Sequence, residues 1–190
     1  MTEHRPLNTA HLPLKLRVED YLALDREGAF DAYSKTELIH GGVLFMNAQH
    51  RAHARIKSRL HLLIANALLL SGSKFEALVE ASVAIPPHDV PEPDIILTNE
   101  AGGDGLVPAR SVALVVEVSD STLDTDLGAK VALYAGAGIA EYWVVDVQRR
   151  VIEQMSSPTD GDYDKRTSLN FGERLSARTI DALRIETTRL

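Results

Sequence analysis

Asp94-Ile95-Ile96-Leu97 and Leu114-Val115-Val116-Glu117-Val118 are two strand-like runs, each carrying one acid among aliphatic residues. If they pair antiparallel, the start of the first lies opposite the end of the second, and Asp94 meets Glu117. Two carboxylates in one patch repel unless something neutralises them, and a divalent cation with oxygen ligands does so. A third charged group follows. Lys130 falls on the inward stripe of a helix, between Leu127 and Leu133 and beside Leu123 and Tyr134. Together the three residues have the chemistry of a metal-dependent hydrolytic site.

Each residue also has a plainer interpretation. Asp94 follows Pro91-Glu92-Pro93 and suits a solvated turn. Glu117 resists such a placing. It interrupts the run Val112 to Val118, otherwise a strand buried on both faces, where a carboxylate is costly unless paired or metal-bound. Lys130 stands four residues after Asp126, and such an intrahelical pair contributes only about 0.2–0.5 kcal/mol, with the lysine stem snorkelling outward. That pair leaves a lysine in the middle of an apolar stripe unexplained.

The 190-residue chain is 45% hydrophobic and 25% charged, sufficient for one globular domain over 13–190 behind a flexible arm over 1–12. It has no cysteine, which excludes disulfides, thiolate metal sites and a cysteine nucleophile. No apolar run reaches membrane-spanning length, and the N-terminal residues lack a secretory pattern. A cytoplasmic protein without membrane contact is expected. Periodicity predicts helices over 18–27, 49–70 and 122–137. Strands are expected at 36–39, 43–46, 76–85, 94–98, 112–118, 141–146, 150–155 and 162–168, before an extended C-terminal tail. This order predicts a mixed α/β fold of α+β character, a central mixed sheet flanked by helices.

The net charge of -7 argues mildly against broad nucleic-acid binding. Its distribution does not, because Asn47 to Ser73 holds Arg51, Arg55, Lys57, Arg59 and three histidines but no acid. Arg51, Arg55 and Arg59 recur every four residues on one flank of the predicted helix; His50, His53, Lys57 and His61 lie toward the other. Such a patch can read phosphate on an acidic molecule. Without an acidic third ligand in that helix, the histidines point to a solvated or phosphate-facing role rather than zinc. The chain has no Gly-x-Ser-x-Gly elbow, and Gly102-Gly103-Asp104-Gly105 is too short for a nucleotide fingerprint.

Pro93-Asp94, Val116-Glu117-Val118-Ser119, Asp126-x-x-x-Lys130-x-x-x-Tyr134 and Gly138-Ile139-Ala140-Glu141-Tyr142-Trp143-Val144-Val145-Asp146 together resemble a bacterial restriction-endonuclease-like family of the PD-(D/E)xK nuclease superfamily. Glu37-Leu38-Ile39-His40-Gly41 and Met46 to His50 are similar to the family's N-terminal signature, so the likeness covers most of the chain. The resemblance implies the restriction-endonuclease fold and a nuclease using Mg²⁺, with Mn²⁺ as the alternative. Asp94 and Glu117 would be the metal ligands, Lys130 a catalytic lysine that has migrated from the position held by Ser119, and Glu37 a helper acid. His50 is similar to the histidine that begins the family's long helix. Departures are His40 and Gly42, where relatives often carry acids, and Asp120 in place of a frequent proline. The expected substrate is DNA, with Arg51, Arg55, Arg59, His50 and Lys57 as its contacts and a homodimer as the assembly. The alternative is a non-catalytic DNA-binding or protein-interaction module that keeps the nuclease fold.

Overall fold

In the computed structural model, which describes residues 14–46, 48–100 and 102–190, the chain opens with helix α1 (Val18–Arg26) and the hairpin β1 (Thr36–Ile39) and β2 (Gly42–Phe45). The expected arm over 1–12 lies outside the described residues. Helix α2 (Arg51–Leu70) leads into β3 (Glu76–Val79), β4 (Val83–Ala84), β5 (Ile95–Thr98), β6 (Val107–Pro108) and β7 (Val112–Ser119). Two short helices, α3 (Leu123–Asp126) and α4 (Ala129–Gly136), precede β8 (Glu141–Asp146), β9 (Val151–Thr159) and β10 (Asp162–Asn170). The chain closes on β11 (Arg174–Ser176) and β12 (Arg184–Glu186).

The central sheet has six strands in the order β10-β9-β8-β7-β5-β3. Only β7 and β8 run parallel within it; the other neighbours are antiparallel. This is the expected mixed sheet. Its middle strands are apolar without a break because both faces are covered. On one face Ile56, Leu60, Ile64 and Leu68 of α2 pack with Leu97, Leu114, Val116 and Trp143, and Leu175 and Ile185 of the C-terminal hairpin complete the layer. On the other, Val131, Leu133 and Tyr134 of α4 cover Ile96, Val115, Tyr142 and Val144. Glu117 shares the face of Val115, so strand alternation aims it at α4.

Three expectations are corrected. The single helix over 122–137 is two helices, because Gly128 (φ −115°, ψ −96°) leaves helical geometry between them. The strand over 76–85 is divided into β3 and β4 by residues 80–82, where Glu80 has φ 55°. The C-terminal tail is a short hairpin instead of an extended segment, with Leu175 opposite Ile185. Both hairpin residues are buried, so the turn is held by core packing that a local pattern does not announce.

Candidate active site

Pairing of Ile95 with Val116 sets Asp94 beside Glu117 at one end of the sheet. Their groups interlock through the backbone. The Val118 N–H donates to Asp94 Oδ2 at 2.8 Å, and the Asp94 N–H lies 3.4 Å from Glu117 Oε2. Both side chains are buried. Lys130, one residue inside α4, reaches down to them. Its Nζ is 2.8 Å from Glu117 Oε1, 3.7 Å from Glu37 Oε1 and 3.9 Å from Asp126 Oδ1. The Tyr134 hydroxyl, one turn further along, donates to Glu117 Oε1 at 2.8 Å.

Glu37 arrives from a separate element. The hairpin β1–β2 is attached to the rest of the protein by a bridge between Leu38 and Val90, and the Glu92 N–H donates to Glu37 Oε1 at 2.7 Å. Asp126, at the end of α3, accepts from the Thr122 hydroxyl at 2.5 Å. The structure thus gathers Asp94, Glu117, Lys130 and Glu37, and adds Asp126 as more than a partner in an exposed pair.

A second group of side chains approaches Asp94 from α2. His53 Nε2 lies 3.1 Å from Asp94 Oδ2, while its Nδ1 is buried without a hydrogen-bond partner among the described residues. Lys57 is buried, with Nζ 3.3 Å from Asp94 Oδ1 and 2.7 Å from Gln49 Oε1, and it also donates to Glu80. Lys57 is therefore not on the exposed basic row. Arg51, Arg55 and Arg59 do form that row, all exposed, although Arg59 donates to the Arg189 carbonyl at 2.8 Å. His50 is 80% exposed, 3.6 Å from Asp120, and does not join the buried cluster; His53 occupies that place. The helical wheel carried this signal, since His53, Ile56, Lys57 and Leu60 share the stripe that faces the protein.

Burial dominates the electrostatics. It pushes the Glu117 carboxyl up to about 8, against the opposing pull of Lys130. Asp126 is likewise raised by burial. Burial by itself depresses the Lys130 ammonium, but the charges of Glu117, Glu37 and Asp126 prevail and raise it. Asp94 moves the other way: burial raises it, yet the bond from His53, the Val118 N–H and the charge of Lys57 hold it below its ordinary value. Lys57 holds Glu80 down to about 2.

Among the described residues, no three His, Asp or Glu side chains form a cage that encloses a metal by themselves. The donor set still suits Mg²⁺, which is usually held by one or two carboxylates and completes its shell with water and substrate phosphate. Asp94 and Glu117 supply two carboxylates on neighbouring strands, and the lysines beside them mark where positive charge is wanted.

A mixed central sheet with helices on both faces is a fold of the restriction-endonuclease-like class, and here two acids meet on adjacent strands beside a lysine from α4. Residues 18–188 match the family model Uma2, described as "Putative restriction endonuclease", and the chain belongs to that family. A structure titled as a "putative nuclease belonging to DUF820" from Anabaena variabilis ATCC 29413 has the same fold, with a TM-score of 0.68 and 14% identity over 93% of this chain and 96% of that one. No curated protein matches the chain.

Proposed function

We propose that the protein is a Mg²⁺-dependent endonuclease that hydrolyses phosphodiester bonds in DNA. The observation that carries this reading is the 2.8 Å pair of Lys130 with Glu117 inside a buried cluster that also holds Asp94. A lysine in such surroundings keeps its charge because the acids repay its desolvation, and a charged amine there is of use to a phosphate. Asp94 and Glu117 would hold the cation, with Mn²⁺ as the alternative. When bound, the metal would activate water and neutralise charge developing on the phosphate.

The chain's own residues do the remainder. Lys130 orients the attacking water and meets the charge of the transition state. Tyr134 and the Asp94 N–H keep Glu117 in one rotamer, and Glu37 fixes Lys130 from the far side. Arg51, Arg55 and Arg59 contact the phosphate backbone outside the cluster, giving affinity with little sequence preference. A homodimer would offer two such sites to a duplex. No helix among the described residues is long and apolar enough to cross a membrane, which fits a cytoplasmic encounter with DNA.

Incubation with plasmid, linear duplex and single-stranded DNA tests the proposal. Cleavage is expected with Mg²⁺ or Mn²⁺, and none with a chelator or in Glu117→Gln. DNA binding without turnover in the wild-type protein would favour a non-catalytic module instead.

A further inference from the structure

The geometry points to Lys57 as a second lysine of the site, one that shares Asp94 with the divalent cation and donates to the phosphate bound there. This rests on the metal-dependent nuclease reading above and extends it to a residue on α2. An ammonium has three hydrogens and no acceptor. Two of those on Lys57 are committed to anchors, Gln49 Oε1 at 2.7 Å and the Glu80 carboxylate. The third lies toward Asp94 Oδ1, at the longer distance of 3.3 Å. Lys57 is thus tied down on one side and only leans on Asp94 on the other. A cation taking Asp94 Oδ1 would leave that hydrogen free to donate to a phosphate held by the cation.

The anchor has been built with some care. Glu80 is not glycine, yet its φ of 55° lies in the left-handed region that such residues rarely hold. Its N–H donates to the Asp94 carbonyl at 3.2 Å, so the same residue fixes the backbone of the acid and the ammonium beside it. Lys35 Nζ, 3.0 Å from Glu80 Oε1 and 2.6 Å from Glu92 Oε1, holds Glu80 from outside. Burial of an unstrained aliphatic residue at position 57 would complete the α2 stripe more simply. Residues in sparsely populated backbone regions cluster at functional sites, and here one supports a buried lysine within reach of a candidate metal ligand.

Two variants and two measurements test this: Mn²⁺ affinity by titration calorimetry, and cleavage of whichever DNA form the wild-type protein cuts. Lys57→Met removes the cation that competes for Asp94, so Mn²⁺ should bind more tightly, by at least about fivefold, the effect of one unit charge at that range even in bulk water. Cleavage should nonetheless fall by ~10²-fold or more, the scale seen when a preorganised transition-state donor is lost. Glu80→Gln frees Lys57 from its charged anchor and lets it settle on Asp94, so Mn²⁺ affinity should fall. A merely supporting Lys57 predicts the opposite sign, weaker Mn²⁺ binding in Lys57→Met, and that result would overturn the inference. So would cleavage by Lys57→Met within about threefold of wild type. If Lys57→Met does not fold, Glu80→Gln decides, and unchanged Mn²⁺ affinity there overturns it. A wild-type protein that cuts no DNA overturns the nuclease reading as well; a wild type that cuts beside an equally active Lys57→Met overturns this one alone.

Discussion

Burial raises the Glu117 carboxyl to about 8 from an ordinary 4.5, against the pull of Lys130. The sign of the consequence follows from proton counting. Between those two values the folded protein holds a proton that the unfolded chain has released, so stability is lost as pH rises from about 4.5 to about 8. Gln cannot ionise and matches the protonated side chain in shape. In the presence of chelator, thermal melts of Glu117→Gln should therefore gain on wild type as pH rises across that window and level off above it. A constant difference between the two proteins would show that Glu117 does not titrate there. Lys130 gives the complementary case. Lys130→Met preserves most of the packing but leaves Glu37, Glu117 and Asp126 without their cation, a loss of about 3–5 kcal/mol for a broken buried pair. Urea unfolding should show that deficit most fully above pH 8, and a smaller one at pH 5, where Glu117 is protonated. Cleavage should fall by ~10²-fold or more at any pH at which the variant is folded.

At the scale of elements, the paired acids were legible because strand alternation and antiparallel register are short-range rules. Asp94 and Glu117 sit on runs whose pairing is fixed by the apolar residues around them, and Ile95 does pair with Val116. Lys130 was legible for a less secure reason. The helical wheel that aimed it inward assumed one helix, whereas Leu127 and Gly128 lie between α3 and α4. A Cβ on Gly128 would come within 2.7 Å of the Asp124 carbonyl oxygen four residues earlier, so the break depends on a local backbone turn that apolar spacing does not encode. The α2 side of the site was missed. His53 and Lys57 were grouped with the basic residues by their charge, although their stripe was the buried one. What remains exposed on α2 is the arginine row. Arg51 and Arg55 are exposed and form no ion pair among the described residues, so the proposed phosphate contacts fall to them first. Replacing both with Gln should weaken DNA binding alike across sequences and reduce the slope of log affinity against log salt by about 1.8, two phosphates' worth. Anisotropy titrations at several salt concentrations would measure it, and an unchanged slope would return the row to solvent.

Across the whole molecule, the strangest acid is one the nuclease chemistry does not use. Glu141 begins β8 and is fully buried, yet it forms no ion pair among the described residues. Its carboxylate is satisfied by neutral donors. Oε1 accepts from the Trp143 indole at 2.7 Å; Oε2 accepts from the N–H groups of Arg178 and Thr179 at 2.8 and 2.9 Å and from the Thr179 hydroxyl at 2.9 Å. The last three belong to the turn between β11 and β12, far along the chain. Glu141 therefore ties the C-terminal hairpin over the α2 face of the sheet, where Leu175 and Ile185 close the core. It lies opposite Leu114, at the other end of β7 from Glu117, which separates the acid of the fold from the acids of the site. Gln at this position would present an NH₂ group to donors on either side, leaving at least one of them unsatisfied in a buried place. Such a mismatch costs about 1–3 kcal/mol, more when a charged acceptor is lost. Glu141→Gln should accordingly unfold at lower urea, with the C-terminal hairpin the first region to exchange its amide hydrogens. At temperatures where it is folded, any cleavage of DNA that the wild type performs should stay within a few-fold of wild type. A loss of cleavage matching that of Glu117→Gln in well-folded protein would mean that the two ends of β7 are coupled, and that the hairpin belongs to the catalytic apparatus.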